Sequence, residues 1–142
     1  MPQSRDAGVP TFVLVHGGNG SSADWAGVVR ELALRGHRAL AVDLPGHGPE
    51  AFFPQCYQAP QDLDALRTVP SPLGAITLDD YTDRVVDVVR RVHPYGPVVL
   101  VGTSQGGVTL NRVGNAVPEL LARLVYVSAF CCVTLPPPST TS

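Results

Sequence analysis

The run Val98-Val99-Leu100-Val101 passes directly into Gly102-Thr103-Ser104-Gln105-Gly106-Gly107, and no other stretch restricts the fold of this chain as much. A continuous β-branched apolar run followed at once by glycines and a helical pattern reads as a buried parallel strand that turns sharply into a helix. A serine hydroxyl is a weak nucleophile and must be presented where a base and an oxyanion site can both reach it. A strand-to-helix turn does this, and small residues two before and two after the serine relieve the crowding. The backbone N–H of Gln105, at the start of the new helix, would face developing negative charge. By itself G-x-S-x-G is a weak signal in a chain with 14 glycines, and its bland reading is a Gly-rich turn of any parallel sheet. Its place between a strand and a helix is what gives it weight.

The rest of the chain alternates short β-rich runs with helical periodicity, which predicts a parallel sheet covered by helices. Phe12–Val15 reads as the first strand. A helix follows, with Ser21 and Asp24 in capping-box spacing, an apolar face of Trp25, Val28, Val29 and Leu32, and Gly36 as its end. Arg38–Val42 reads as the second strand, closed by Asp43 and the turn LPGHG. The proline-scattered segment Pro45–Ala75 supports no regular element. Thr77 and Asp80 repeat the capping-box spacing ahead of a stripe of Tyr81, Val85, Val88, Val89 and Val92, which Pro94 stops. The serine turn opens a helix through about Ala116, PELLAR makes a short helical turn, and Leu124–Ser128 reads as a fourth strand. The expected strand order is second, first, third, fourth. Residues 1–134 read as one partial domain and 135–142, LPPPSTTS, as a disordered tail.

Composition excludes several classes. The net charge is −2, without a basic stripe for nucleic acid. The apolar runs are far too short for a membrane span, and the polar N-terminus lacks a secretion signal. Cys56, Cys131 and Cys132 are odd in number and sit away from any His or carboxylate at ligand spacing, so neither a disulfide framework nor a metal site is expected. A cytoplasmic protein without a cofactor is the resulting expectation. Cys131 and Cys132 read as strand-end filling, although an exposed vicinal pair would be oxidisable.

A second feature is His16-Gly17-Gly18 at the end of the first strand. A serine hydrolase needs a second oxyanion donor from a neighbouring strand, and a glycine turn lets backbone N–H groups face the site. His16 reads as a structural turn histidine before it reads as a base. His47 lies at the same edge of the sheet and is the other candidate base, against the plainer reading of a solvated turn residue. Asp43, Asp79 and Asp80 are explained by turn geometry and helix N-terminal charge.

Taken in order, FVLVHGG, the Trp25 helix, VDLPGHG, TLDDYTDRVVDVV, VLVGTSQGG and LVYVSAF resemble the N-terminal half of the α/β-hydrolase superfamily. The likeness is strongest to hydroxynitrile lyases, plant-type methylesterases and bacterial esterase-like relatives. The resemblance implies Ser104 as nucleophile, with Gln105 and the Gly17-Gly18 turn (Gly18 preferred) as the oxyanion hole. It implies a small ester or carbonyl substrate. It also implies a truncated α/β-hydrolase fold of about four parallel strands, with helices on both faces and without the cap and C-terminal strands.

That family orders its triad Ser, acid, His. After Ser104 this sequence has one carboxylate, Glu119, and no histidine, since His16, His37, His47 and His93 all precede it. The expected activity of the chain alone is therefore weak, or dependent on another chain. A non-catalytic reading is a truncated or split half acting through association, because the last strand would leave an apolar sheet edge open to a second copy or a partner. A further rival is dinucleotide binding: Gly18, Gly20 and Ala23 open a helix after a strand, and Asp43 follows about twenty residues on, as a ribose-binding acid would.

Overall fold

The computed structural model describes residues 8–132. Four strands, β1 (Thr11–Val15), β2 (Arg38–Val42), β3 (Val98–Ser104) and β4 (Leu121–Ala129), form one parallel sheet in the order β2-β1-β3-β4. The helices are α1 (Ala26–Leu34), α2 (Leu63–Thr68), α3 (Leu78–Val92) and α4 (Gly106–Ala116).

Alternation along the strands sorts their side chains to two faces. On one face Val13, Val15, Val42, Val98 and Leu100 bury against Val85, Val86 and Val89 of α3 and Leu110 and Val113 of α4. On the other, Leu14, Val99 and Val101 pack with Trp25, ahead of α1, and with half-buried Val29. The sheet is thus covered on both sides over β1, the central pairing partner of β2 and β3. β4 is different. Leu124 and Tyr126 pack inward on the α3–α4 side, while Val125 and Val127 are 37% and 46% exposed.

Local chemistry sets the helix starts. Ser21 and Asp24 make a reciprocal capping box at the 3₁₀ turn Ser22–Trp25 that runs into α1, and Thr77 and Asp80 make another at α3, so each helical run begins where an orphan N–H finds a side-chain oxygen. Gly36, at φ 82°, follows the end of α1. Two short 3₁₀ turns, His93–Tyr95 and Pro118–Leu120, each with a proline in the first turn, close α3 and lead into β4.

Three expectations need correction. The segment Pro45–Ala75 is not devoid of regular structure: it contains α2, capped by the Asp62 carboxylate accepting from the Ala65 N–H at 2.9 Å, and three short 3₁₀ turns. β4 begins at Leu121 rather than Leu124, because pairing with β3 overrides the helical preference of the Leu-Leu-Ala sequence. Val28 is exposed rather than part of the α1 contact face, since the short helix leans on the sheet through Trp25 and Val29. The tail expected at 135–142 lies outside the described residues.

Candidate active site

Ser104 is the last residue of β3 and has φ 51°, in the left-handed region that a residue with a side chain adopts at a cost. Its surroundings hold it there. A Cβ on Gly102 would stand 2.6 Å from Leu110 Cδ1, and one on Gly106 would stand 2.7 Å from the carbonyl oxygen of His16. The turn is therefore pressed onto α4 on one side and onto the end of β1 on the other. The Ser104 carbonyl accepts from the Phe130 N–H at 3.0 Å, so the chain leaving β4 braces the turn as well. The Ser104 side chain is left exposed.

Pairing of β1 with β3 sets Val15 opposite Gly102, which brings the next residues of both strands to one level. A Cβ on Gly17 would lie 2.9 Å from Ser104 Cβ, and one on Gly18 would lie 2.5 Å from Gln105 Oε1. The Gly17-Gly18 turn thus stands directly against Ser104 and Gln105. It is closed by the Gly20 N–H donating to the Gly17 carbonyl at 3.3 Å, with Asn19 at φ 58°.

His16 is fully buried, and both of its ring nitrogens are engaged by backbone. Nε2 accepts from the Leu44 N–H at 3.1 Å, and Nδ1, which must then carry the proton, donates to the Gly17 carbonyl at 2.7 Å. Burial pushes its pKa down, and the nearby His47 adds to this, against the Gly17 hydrogen bond. A neutral His16 thus ties the end of β1 to the loop after β2.

His47 sits in that loop. Its N–H donates to the Leu44 carbonyl and its Nδ1 to the Pro45 carbonyl, each at 3.0 Å. Its ring lies 4.9 Å from that of His16 and 5.8 Å from that of Tyr81. Arg84 of α3 clamps the loop by donating to the Asp43 carbonyl at 3.0 Å and to Glu50 at 2.9 Å, while Glu50 accepts from the Gly46 N–H. The Gly46 and Arg84 donors hold the Glu50 carboxyl below its ordinary pKa. A cavity of about 260 Å³ opens here, walled by Gly17, Gly18, Gln105, His47 and Tyr81 among others; Ser104 is not part of its wall.

Residue patterning did not single out Tyr81 as a wall of this cavity, because its spacing in α3 is that of a core residue. The Arg84 clamp and the Phe130 brace are tertiary contacts with no local signature. Asp43 is committed within the fold: its carboxylate accepts from the Ser22 N–H at 2.7 Å and the Ser22 hydroxyl at 2.9 Å, and Gly48 is packed against it. Those contacts occupy the oxygens that a ribose would need in the dinucleotide reading. Among the described residues no cluster of three or more His, Cys, Asp or Glu could hold a metal, and no helix is long and apolar enough to cross a membrane.

A family model described as alpha/beta hydrolase family matches residues 12–141. The chain is 31% identical over 118 residues to polyneuridine aldehyde esterase of Rauvolfia serpentina, a match covering 83% of this chain and 38% of that protein. It is 34% identical over 118 residues to an esterase of Mycobacterium tuberculosis, covering 83% and 32%. Among solved structures, an extracellular alpha/beta-hydrolase from a Paenibacillus species superposes with a TM-score of 0.66 at 25% identity, over 87% of this chain and 42% of that one. The chain thus spans well under half the length of these proteins.

Proposed function

We propose, given that the chain belongs to the alpha/beta hydrolase family, that it carries the nucleophile half of an esterase-type site acting on a small neutral ester. Ser104 is the nucleophile in this reading. Its Oγ attacks the ester carbonyl, and the N–H groups of Gln105 and of the Gly17-Gly18 turn, Gly18 foremost, hold the negative charge of the tetrahedral intermediate. The observation that carries the reading is the left-handed Ser104 at the β3–α4 junction with Gly17 packed against it.

His16 serves the turn rather than the reaction, because both its nitrogens are spent on backbone. His47 keeps Nε2 for the cavity and stands second as a base. The acid and the histidine that complete a triad come from outside these 142 residues, through more of the same polypeptide or a second chain. Without them turnover is weak. The exposed Val125 and Val127 beside the sheet edge support association with such a second body, including another copy. The three unpaired cysteines suit a reducing compartment, which supports a cytoplasmic setting.

The test is intact-mass measurement after treatment with a fluorophosphonate, with Ser104→Ala alongside. One adduct that is absent from the variant is expected if a base reaches Ser104. A folded chain that takes no adduct, alone or mixed with a polypeptide supplying the rest of the fold, ends the esterase reading.

A further inference from the structure

A second reactive group lies next to the serine turn. Cys131 and Cys132 follow β4 closely, and both are exposed free thiols. The short segment they end is pinned to α4 and to the turn at three points. The Phe130 N–H donates to the Ser104 carbonyl at 3.0 Å. The Phe130 backbone is packed on Gly107 so closely that no Cβ would fit there. The Cys132 carbonyl accepts from Asn111 Nδ2 at 3.3 Å, while Asn111 Oδ1 accepts from the Tyr126 hydroxyl. Burial first, and then the neighbouring Cys131 and Cys132 thiols, hold the Tyr126 phenol above its ordinary pKa, in keeping with thiols that lie beside that hydroxyl.

We propose that Cys131 and Cys132 form a peroxide-reactive dithiol site whose oxidation releases the segment bracing the Ser104 turn. One thiolate attacks a peroxide oxygen, breaking the O–O bond and becoming a sulfenic acid as the first water forms. The neighbouring sulfur then displaces the hydroxyl of that sulfenic acid as a second water. Two thiols are oxidised to one S–S bond, one hydrogen peroxide is reduced to two waters, and both sulfur protons leave in them. Adjacent Cα atoms across a trans peptide are about 3.8 Å apart, closer than the roughly 4.4–6.8 Å that a relaxed disulfide spans. Ring closure therefore has to twist the backbone torsions of both cysteines away from their present values. Turning those of Cys132 draws its carbonyl away from Asn111, and turning those of Cys131 loosens Phe130, one residue upstream. The strained ring is readily reduced, which makes the change reversible.

The experiment is peroxide treatment of the 142-residue chain, followed by peptide mass mapping and amide hydrogen exchange. The expected result is a loss of about 2 Da confined to the peptide after Arg123, with Cys56 still open to alkylation. Exchange at the Phe130 amide should accelerate by about tenfold or more and return on reduction. Cys132→Ser and, separately, Cys131→Ser should show neither change. The proposal is overturned if both thiols remain open to alkylation, if sulfinic acid forms in place of the ring, or if the ring closes with the Phe130 amide as protected as before.

Discussion

Gly17 and Ser104 are packed so that a methyl group on the glycine would lie 2.9 Å from the serine Cβ and 3.5 Å from its hydroxyl oxygen. Gly17 follows β1 and Ser104 ends β3, so the contact fixes the lateral position of the serine turn relative to the turn after β1. Gly17→Ala forces one of the two to move. The expected cost is about 1–3 kcal/mol in urea unfolding, as for other overpacked sites. An unchanged midpoint would show that the two turns can slide past one another.

The two glycines flanking Ser104 should differ in tolerance. A methyl at Gly102 meets the end of the Leu110 side chain, which can rotate away, whereas one at Gly106 meets the carbonyl of His16, which cannot. Gly106→Ala is expected to destabilise the fold by at least about 1 kcal/mol more than Gly102→Ala. Thermal unfolding of both variants side by side decides it, and equal costs would mean that β1 shifts as readily as a leucine rotamer.

His16 makes stability depend on pH with a definite sign. Its pKa is below the ordinary 6.5 in the fold, so the unfolded chain binds the proton more readily. Its contribution is complete above about 6.5 and is lost as pH falls below that value toward the folded pKa. Urea midpoints should drop between about pH 7.5 and pH 5. In His16→Gln, which keeps a donor and an acceptor without titrating, this fall should shrink; an equal fall in both proteins would assign it to other groups.

The uncovered side of β4 should drive self-association. Among the described residues Val125 and Val127 are exposed beside an unpaired strand edge, and a charge on an edge strand opposes pairing. Sedimentation of the parent chain should show mass rising with concentration, and Val127→Lys should lower the association constant by about tenfold or more. A parent chain that stays monomeric at high concentration would remove association through this edge.

Much of the sheet was legible because local signals agreed with one another. The two capping boxes mark where α3 and the 3₁₀ turn leading into α1 begin, and uninterrupted apolar runs mark β1 and β3 as buried on both faces. The juxtaposition of Ser104 and Gln105 with Gly17 and Gly18 was legible for the same reason, since both glycine turns leave strand ends that pair. The misses share a physical cause. α2 is six residues long in a proline-rich segment, too short to show a period, and the start of β4 is set by its pairing with β3 rather than by its own residues. Tyr81 looks like core by spacing, and only the packing of α3 across the loop after β2 turns its ring toward a cavity.

The pairing of Val15 with Gly102 also governs when this site can come into being. β1 and β2 can associate early around α1, since little chain separates them. β3, which belongs between β1 and β4, arrives only after α2 and α3 have been made. Closing so long a loop is entropically slow, and contacts of such sequence separation lower folding rates. Until that closure the inner edge of β1 stays open, and the turn after it has no serine to face. Because β4 follows β3 in the chain, β1 has only an open edge on that side until β3 is made, and another extended segment could pair with that edge in its place. The two glycine turns that wall the pocket therefore meet only once the most sequence-distant pairing of β1 has formed.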